Sequence, residues 1–225
     1  MTDPIVIRLG ITCVYLIRGT AGYLLIDAGP CGKAPVLLRA LSRQGISPRQ
    51  IRLILVTHVH YDHVGSLNAI RNHSDGPVLV HRAEAAHLTQ GRMALPPGTR
   101  PLTRALMALA RRHPRLARRL LYFDPVAPDR IIDGPLDLSP YGFDARVLPT
   151  PGHTPGSISV VTSSGRAFVG DLAVNYLPGG SRLFYPPFGD SFETIRDSWR
   201  ALAAIGVKTV YPAHGWPFAT RKLPI

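Results

Sequence analysis

The segment Thr57-His58-Val59-His60-Tyr61-Asp62-His63 holds four potential metal ligands within six positions. It directly follows an apolar run, Ile51–Thr57, with LILV at its centre. Along an extended chain side chains two apart point the same way, so His58 and His60 share a face. Asp62 and His63 fall where the chain turns into a helix, and can face a second point a few ångströms away. The spacing therefore offers two adjoining metal positions. Imidazole with carboxylate and no thiolate suits zinc, iron or manganese.

Three later segments complete the set: Pro151–Gly156 around His153, Gly170-Asp171, and Pro212-Ala213-His214-Gly215. Each lies at the end of an expected strand and is flanked by glycine or proline. Five of the nine histidines fall in these places, together with Asp62 and Asp171. Such a concentration at strand ends points to a metal centre.

Something must position these loops. β-branched and aromatic residues between glycines predict strands at Ile5–Leu9, Thr12–Ile17 and Gly22–Asp27. Helical spacing of Val36, Leu37, Ala40 and Leu41 predicts a helix over Lys33–Gln44, ended by Gly45. One helix is expected through Val64, Leu67 and Ile70, a strand at Val78–Val80, and a short helix around Glu84–Leu88. Residues 89–129 break this rhythm with the loop GRMALPPGTRP and two basic helices, Leu102–Arg112 and one after Pro114. Strands resume at Arg130–Leu138, Ala145–Leu148, Ser157–Thr162 and Ala167–Gly170, then a helix over Phe192–Ile205 and a strand at Thr209–Tyr211. The order predicts an α/β fold with two mixed sheets packed together and helices outside, a four-layer arrangement. We expect a single domain over residues 1–225 with an insert at about 89–129.

The chain has 225 residues and a net charge of +12, and 45% of it is hydrophobic. That excludes a disordered protein, and no apolar run is long enough for a membrane helix. The start, MTDPIVIRLG, does not read as a secretory signal, so a cytoplasmic protein is expected. Cys13 and Cys31 are expected to be reduced, buried thiols. The basic excess is almost wholly arginine and is uneven. Between Glu84 and Asp124 there is no acid but eight arginines: Arg92, Arg100, Arg104, Arg111, Arg112, Arg115, Arg118 and Arg119. Such a block suits nucleic acid, an anionic membrane, an acidic substrate, or simply a solvated face. The leucines Leu102, Leu106, Leu109, Leu116, Leu120 and Leu121 suggest helices lying on the domain, as a lid or a homodimer contact.

The His58-x-His60-x-Asp62-His63 signature, with His153, Asp171 and His214 in order, resembles the metallo-β-lactamase superfamily. The early strand ending Leu25-Ile26-Asp27-Ala28-Gly29 agrees with it, and the likeness covers nearly the whole chain. The resemblance implies an αββα sandwich with the site at one edge of its sheets. It also implies two divalent ions, zinc expected and iron or manganese as alternatives. His58, His60 and His153 would hold one, and Asp62, His63 and His214 the other, with Asp171 bridging. A metal-bridging hydroxide would attack the substrate, with Asp62 able to take a proton. Asp27 and Thr57 would orient imidazoles, or else be ordinary strand-end residues.

Retention of Asp171 argues against antibiotic hydrolysis, because true β-lactamases of the superfamily generally lack the bridging carboxylate. Glyoxalase II-like thioesterases share the ligand set but add a helical extension that the short stretch after Gly215 does not match. Lactonases use a tyrosine near the bridging aspartate, and Tyr176 is the nearest one here, at an unusual offset. Tyr61 reads as a packing residue. The expected reaction is hydrolysis of an ester-like carbonyl, as in a lactone, thioester or carboxylic ester of a small molecule. The alternatives are a phosphodiesterase or nuclease using the arginine-rich insert, and a mononuclear-iron sulfur dioxygenase.

Overall fold

The computed structural model describes residues 3–176 and 184–225, except for the side chains of Arg118 and Leu120. Those two members of the insert's basic and leucine sets therefore lie outside the described side chains.

Short β-branched runs pair into two six-stranded sheets. The first contains β1 (Ile5–Arg8), β2 (Cys13–Arg18), β3 (Tyr23–Ile26), β4 (Ile51–Leu55), β5 (Val78–His81) and β6 (Arg130–Ile132), in that order. The β1–β2 and β2–β3 pairs are antiparallel, and the pairs from β3 to β6 are parallel. The second contains β7 (Leu136–Asp137), β8 (Ala145–Pro149), β9 (Ile158–Thr162), β10 (Arg166–Phe168), β11 (Thr209–Tyr211) and β12 (Phe218–Ala219). Only the β10–β11 pair is parallel there.

Side-chain alternation then divides the apolar residues among three cores. In β2, Val14 and Leu16 face one way, while Cys13, Tyr15 and Ile17 face the other. The outward set packs under α1 (Ala34–Arg43), α2 (Tyr61–Val64), α3 (Leu67–Arg71) and α4 (Arg82–Gln90). The inward set meets Val147, Val160 and Phe168 of the second sheet. Behind that sheet, Ile195, Trp199 and Leu202 of α7 (Phe192–Ala204) form the third core. This is the expected αββα layering.

Three local expectations need correction. The helix through Val64 and Ile70 is two short helices separated at Gly65 and Ser66. Added to Gly65, a Cβ would sit 2.2 Å from Cys31 N, so the chain passes too closely for a side chain. The stretch Arg130–Leu138 is not one strand: β6 ends the first sheet and β7 begins the second. Cys31 is exposed rather than buried, whereas Cys13 is buried, and both thiols are free.

The insert forms α5 (Pro101–Arg112) and α6 (Pro114–Leu120). It differs from the expectation in which face turns inward. Met107 and Ala117 are buried, while Leu102, Leu106, Leu109 and Leu116 are exposed. Counting leucines misses this because the buried residues are a methionine and an alanine, with Leu121 half-buried. No helix among the described residues is long and apolar enough to cross a membrane.

Candidate metal centre

The strands' directions gather the polar loops at one edge. β3 and β4 are parallel and end just before Asp27 and the histidine segment. β8, β10 and β11 share a direction and lead to His153, Asp171 and His214. Backbone bonds from Ile158 N to Thr57 O (3.0 Å) and from Cys13 N to Ala213 O (2.7 Å) tie the two sheets there.

Asp27 is the only described non-glycine residue with positive φ, at 60°. Aspartate tolerates that region better than most residues, and the turn aims its carboxylate back at the histidine segment. Its Oδ1 accepts from Thr57 N at 2.8 Å. Its Oδ2 accepts from Thr57 Oγ1 at 2.8 Å and from His63 Nδ1 at 2.9 Å. The Thr57 hydroxyl, having given its proton to Asp27, accepts from His58 Nδ1 at 3.1 Å. Gly170 closes over this pair: a Cβ there would lie 2.5 Å from Thr57 Oγ1. His153 Nδ1 donates to Phe188 O at 3.0 Å, and His214 Nδ1 donates to Ile11 O at 2.9 Å. Four imidazoles are thus fixed with Nδ1 as a donor and Nε2 turned inward.

The inward atoms converge. His58 Nε2, His60 Nδ1 and His153 Nε2 lie 3.0 to 3.1 Å from one another. Asp171 joins them, and the ligand atoms of all four residues lie within 4.8 Å. Asp62, His63 and His214 form a second such group. Asp171 stands between the groups: its Oδ1 is 3.3 Å from both His63 Nε2 and His214 Nε2, and its Oδ2 is 3.7 Å from His153 Nε2. His63 Nε2 and Asp171 Oδ1 are buried without a hydrogen-bond partner. Orphaned buried polar atoms are costly, and lone pairs facing one another repel. A divalent cation satisfies both conditions, so this nitrogen and oxygen set fits metal ions.

The electrostatics divide the cluster. Burial, reinforced by neighbouring imidazoles, pushes His58 well below its ordinary pKa and His60 down to about 3. Burial also lowers His153 against the pull of Asp171. Burial opposes charge on His63 and His214 too, but carboxylates outweigh it. Asp171, Asp27 and Asp62 raise His63 to about 10, and Asp171 with Asp62 raises His214 to about 12. Burial would raise the Asp171 carboxyl, yet His214 and His63 hold it well below the usual range.

Residues 7–214 match the family model of the metallo-beta-lactamase superfamily. The chain belongs to that superfamily. It is accordingly a metal-dependent hydrolase. Among its relatives is the probable metallo-hydrolase YflN of Bacillus subtilis, 30% identical over 87% of this chain and 76% of that protein. The acyl-coenzyme A thioesterase MBLAC2 of Gallus gallus is 29% identical over 93% of this chain and 74% of its own. Among solved structures, TTHA1623 in a di-iron-bound form superposes with a TM-score of 0.68 at 25% identity, covering 99% of both chains.

In this superfamily member, a cavity of about 350 Å³ opens over the cluster. Its floor is His60, Asp62, His153, Asp171 and His214. Its wall is apolar, and the insert supplies Met93, Leu95, Leu106, Met107 and Leu121. No arginine or lysine lines it among the described residues. Arg104 and Arg111 instead donate to the loop carbonyls of Gly98 and Leu95. Tyr176 lines the cavity with its ring centroid 6.1 Å from that of His214. Burial raises the phenol's pKa, helped by Asp171 and Asp62 against His214, so it remains a protonated donor. Tyr61, read as a packing residue, also reaches the cavity.

All seven sequence-predicted ligands come together, and Asp27 and Thr57 orient imidazoles as the resemblance implied. Glu84 was missed. It is buried on α4, and its Oε2 accepts from Val59 N, between His58 and His60, at 2.9 Å. The available signal was that Glu84 is the sole acid between Asp75 and Asp124.

Proposed function

We propose that the cluster holds two divalent metal ions and that the protein hydrolyses an ester-like carbonyl bearing an apolar acyl group. A lactone, thioester or carboxylic ester is the substrate class, and zinc is the metal of choice, with iron or manganese as alternatives. His58, His60 and His153 hold one ion, Asp62, His63 and His214 the other, and Asp171 is shared. Two bound cations supply Lewis acidity and bring the pKa of water into the neutral range.

The chain's own residues do the rest. Asp171, kept ionised by His214 and His63, supplies the negative charge that balances two cations. Asp62 lies 3.2 Å from His214 and lines the cavity, where its carboxylate can accept a proton. The Tyr176 phenol donates toward the oxygen on which charge develops. The insert, which we take as part of one domain over 1–225, walls the site and receives the acyl chain.

The observation that carries this reading is the cavity's lining. An acyl chain finds methionine and leucine there, whereas a phosphodiester would bring charge beside a wall that has no arginine or lysine among its described residues. The thioesterase name of one relative is in keeping with an acyl carbonyl. The test is to offer the metal-loaded protein an acyl lactone, an acyl thioester and a phosphodiester, with Asp171→Ala as the blank. Turnover of an acyl substrate, lost in the blank, is expected. Turnover of the phosphodiester alone would overturn the reading.

A further inference from the structure

The α5–α6 hairpin leaves an apolar face uncovered beside a dense positive charge. Leu102, Leu106 and Leu109 recur at i, i+4 and i+7, which places them along one side of α5. They are 80%, 50% and 55% exposed, and Leu116 of α6 adds a fourth at 56%. Met107 on the opposite side is buried and anchors the helix, so the exposure is not fraying of an unattached segment. On the same two helices Arg112, Arg115 and Arg119 are exposed, and residues 85–123 contain no acid.

We propose that this hairpin is a docking surface for an anionic lipid bilayer, lying in the headgroup plane with its leucines in the acyl boundary. Leucines flanked by arginines have the two attractions such binding needs, apolar burial and charge complementarity. Two other occupants fit less well. A second copy in a symmetric pair would set the same arginines against one another with no acid between them. A nucleic acid would satisfy the arginines but leave the leucines wet. Leu106 both belongs to this face and lines the cavity, so docking would bring the cavity mouth to the lipid surface.

The experiment is flotation of the full-length, metal-loaded protein with phosphatidylcholine vesicles, with or without phosphatidylglycerol. Association with the anionic vesicles, absent with neutral ones and released by high salt, is the expected result. Leu102→Gln/Leu109→Gln should abolish flotation. Arg112→Gln, Arg115→Gln and Arg119→Gln should each weaken it by roughly fivefold. None of these residues lines the cavity, and circular dichroism with metal content verifies that each variant is folded. Failure of the unaltered protein to float, or flotation indifferent to the leucine variant, would overturn the proposal. So would a concentration-dependent dimer dissolved by that variant, or an oligonucleotide held through the arginines while the leucine variant binds it unchanged.

Discussion

Asp27 Oδ2 accepts from His63 Nδ1 at 2.9 Å, and the same oxygen accepts from Thr57 Oγ1. One carboxylate therefore orients His63 directly and His58 through Thr57, reaching both halves of the cluster. Asp27→Asn tests this without disturbing the backbone, because asparagine also tolerates the positive φ. An amide in place of the carboxylate removes one acceptor oxygen and the negative charge opposite His63. Metal affinity should fall roughly 10- to 100-fold, the usual effect of losing a partner behind a ligating histidine. Competition with a chromophoric chelator measures it. An affinity unchanged in a folded variant would show that the histidines orient themselves.

Glu84 supports the same segment from the other side. It is buried, with Gly156 packed so closely that a Cβ there would sit 2.5 Å from Glu84 Cγ. Removing its side chain leaves Val59 N–H without its acceptor. Glu84→Ala should cost about 1–3 kcal/mol of stability and loosen the His58–His60 pair. Glu84→Gln keeps an oxygen acceptor and should retain most of both. Chemical denaturation of the two variants decides it, and equal losses would mean that the charge, not the hydrogen bond, matters.

The seven clustered histidines and aspartates were legible because five of the seven follow strands directly and the other two open the helix after one, and period-two and helical signals locate those junctions without tertiary information. Asp27 and Thr57 were legible only through family resemblance, since no spacing rule says that a strand-end aspartate will turn back at φ 60°. Glu84 was not legible, because its bond to Val59 joins a helix to a loop 25 residues away. The insert was legible only in part. Its leucines suggested helices lying on the domain, and Leu106 and Leu121 do line the cavity, but Met107 and Ala117 are the buried residues, and composition does not reveal which side of a short helix faces the protein.

The two ligand groups should also differ in their proton stoichiometry. His63 and His214 have folded-state values of about 10 and about 12, above the ordinary 6.5. In the metal-free protein their charged forms add stability in full below about pH 6.5, and that contribution is lost as the pH rises through the raised values. Ligation needs the neutral imidazole, so an ion entering the Asp62, His63 and His214 group must expel both protons at neutral pH. His58, His60 and His153 have lowered values and are already neutral. Affinity at the former group should climb with pH across neutrality, while affinity at the latter stays nearly flat. Calorimetric titration in buffers of different ionisation enthalpy reads the protons directly. Equal release by both equivalents would contradict the division.

Tyr176 can be tested as a hydrogen-bond donor to the substrate rather than a wall residue. It lies at the cavity lining near His214, and its phenol stays protonated. If it donates to the oxygen that gains charge as the carbonyl is attacked, its bond strengthens on the way to the transition state. Tyr176→Phe should then lower kcat by roughly 100-fold, the order found for loss of one oxyanion donor, with KM and metal content little changed. A wall residue would behave otherwise: the same variant would leave kcat intact or shift KM alone, because only ground-state packing is altered. Steady-state kinetics on the acyl substrate, with metal analysis of the same sample, separates the two.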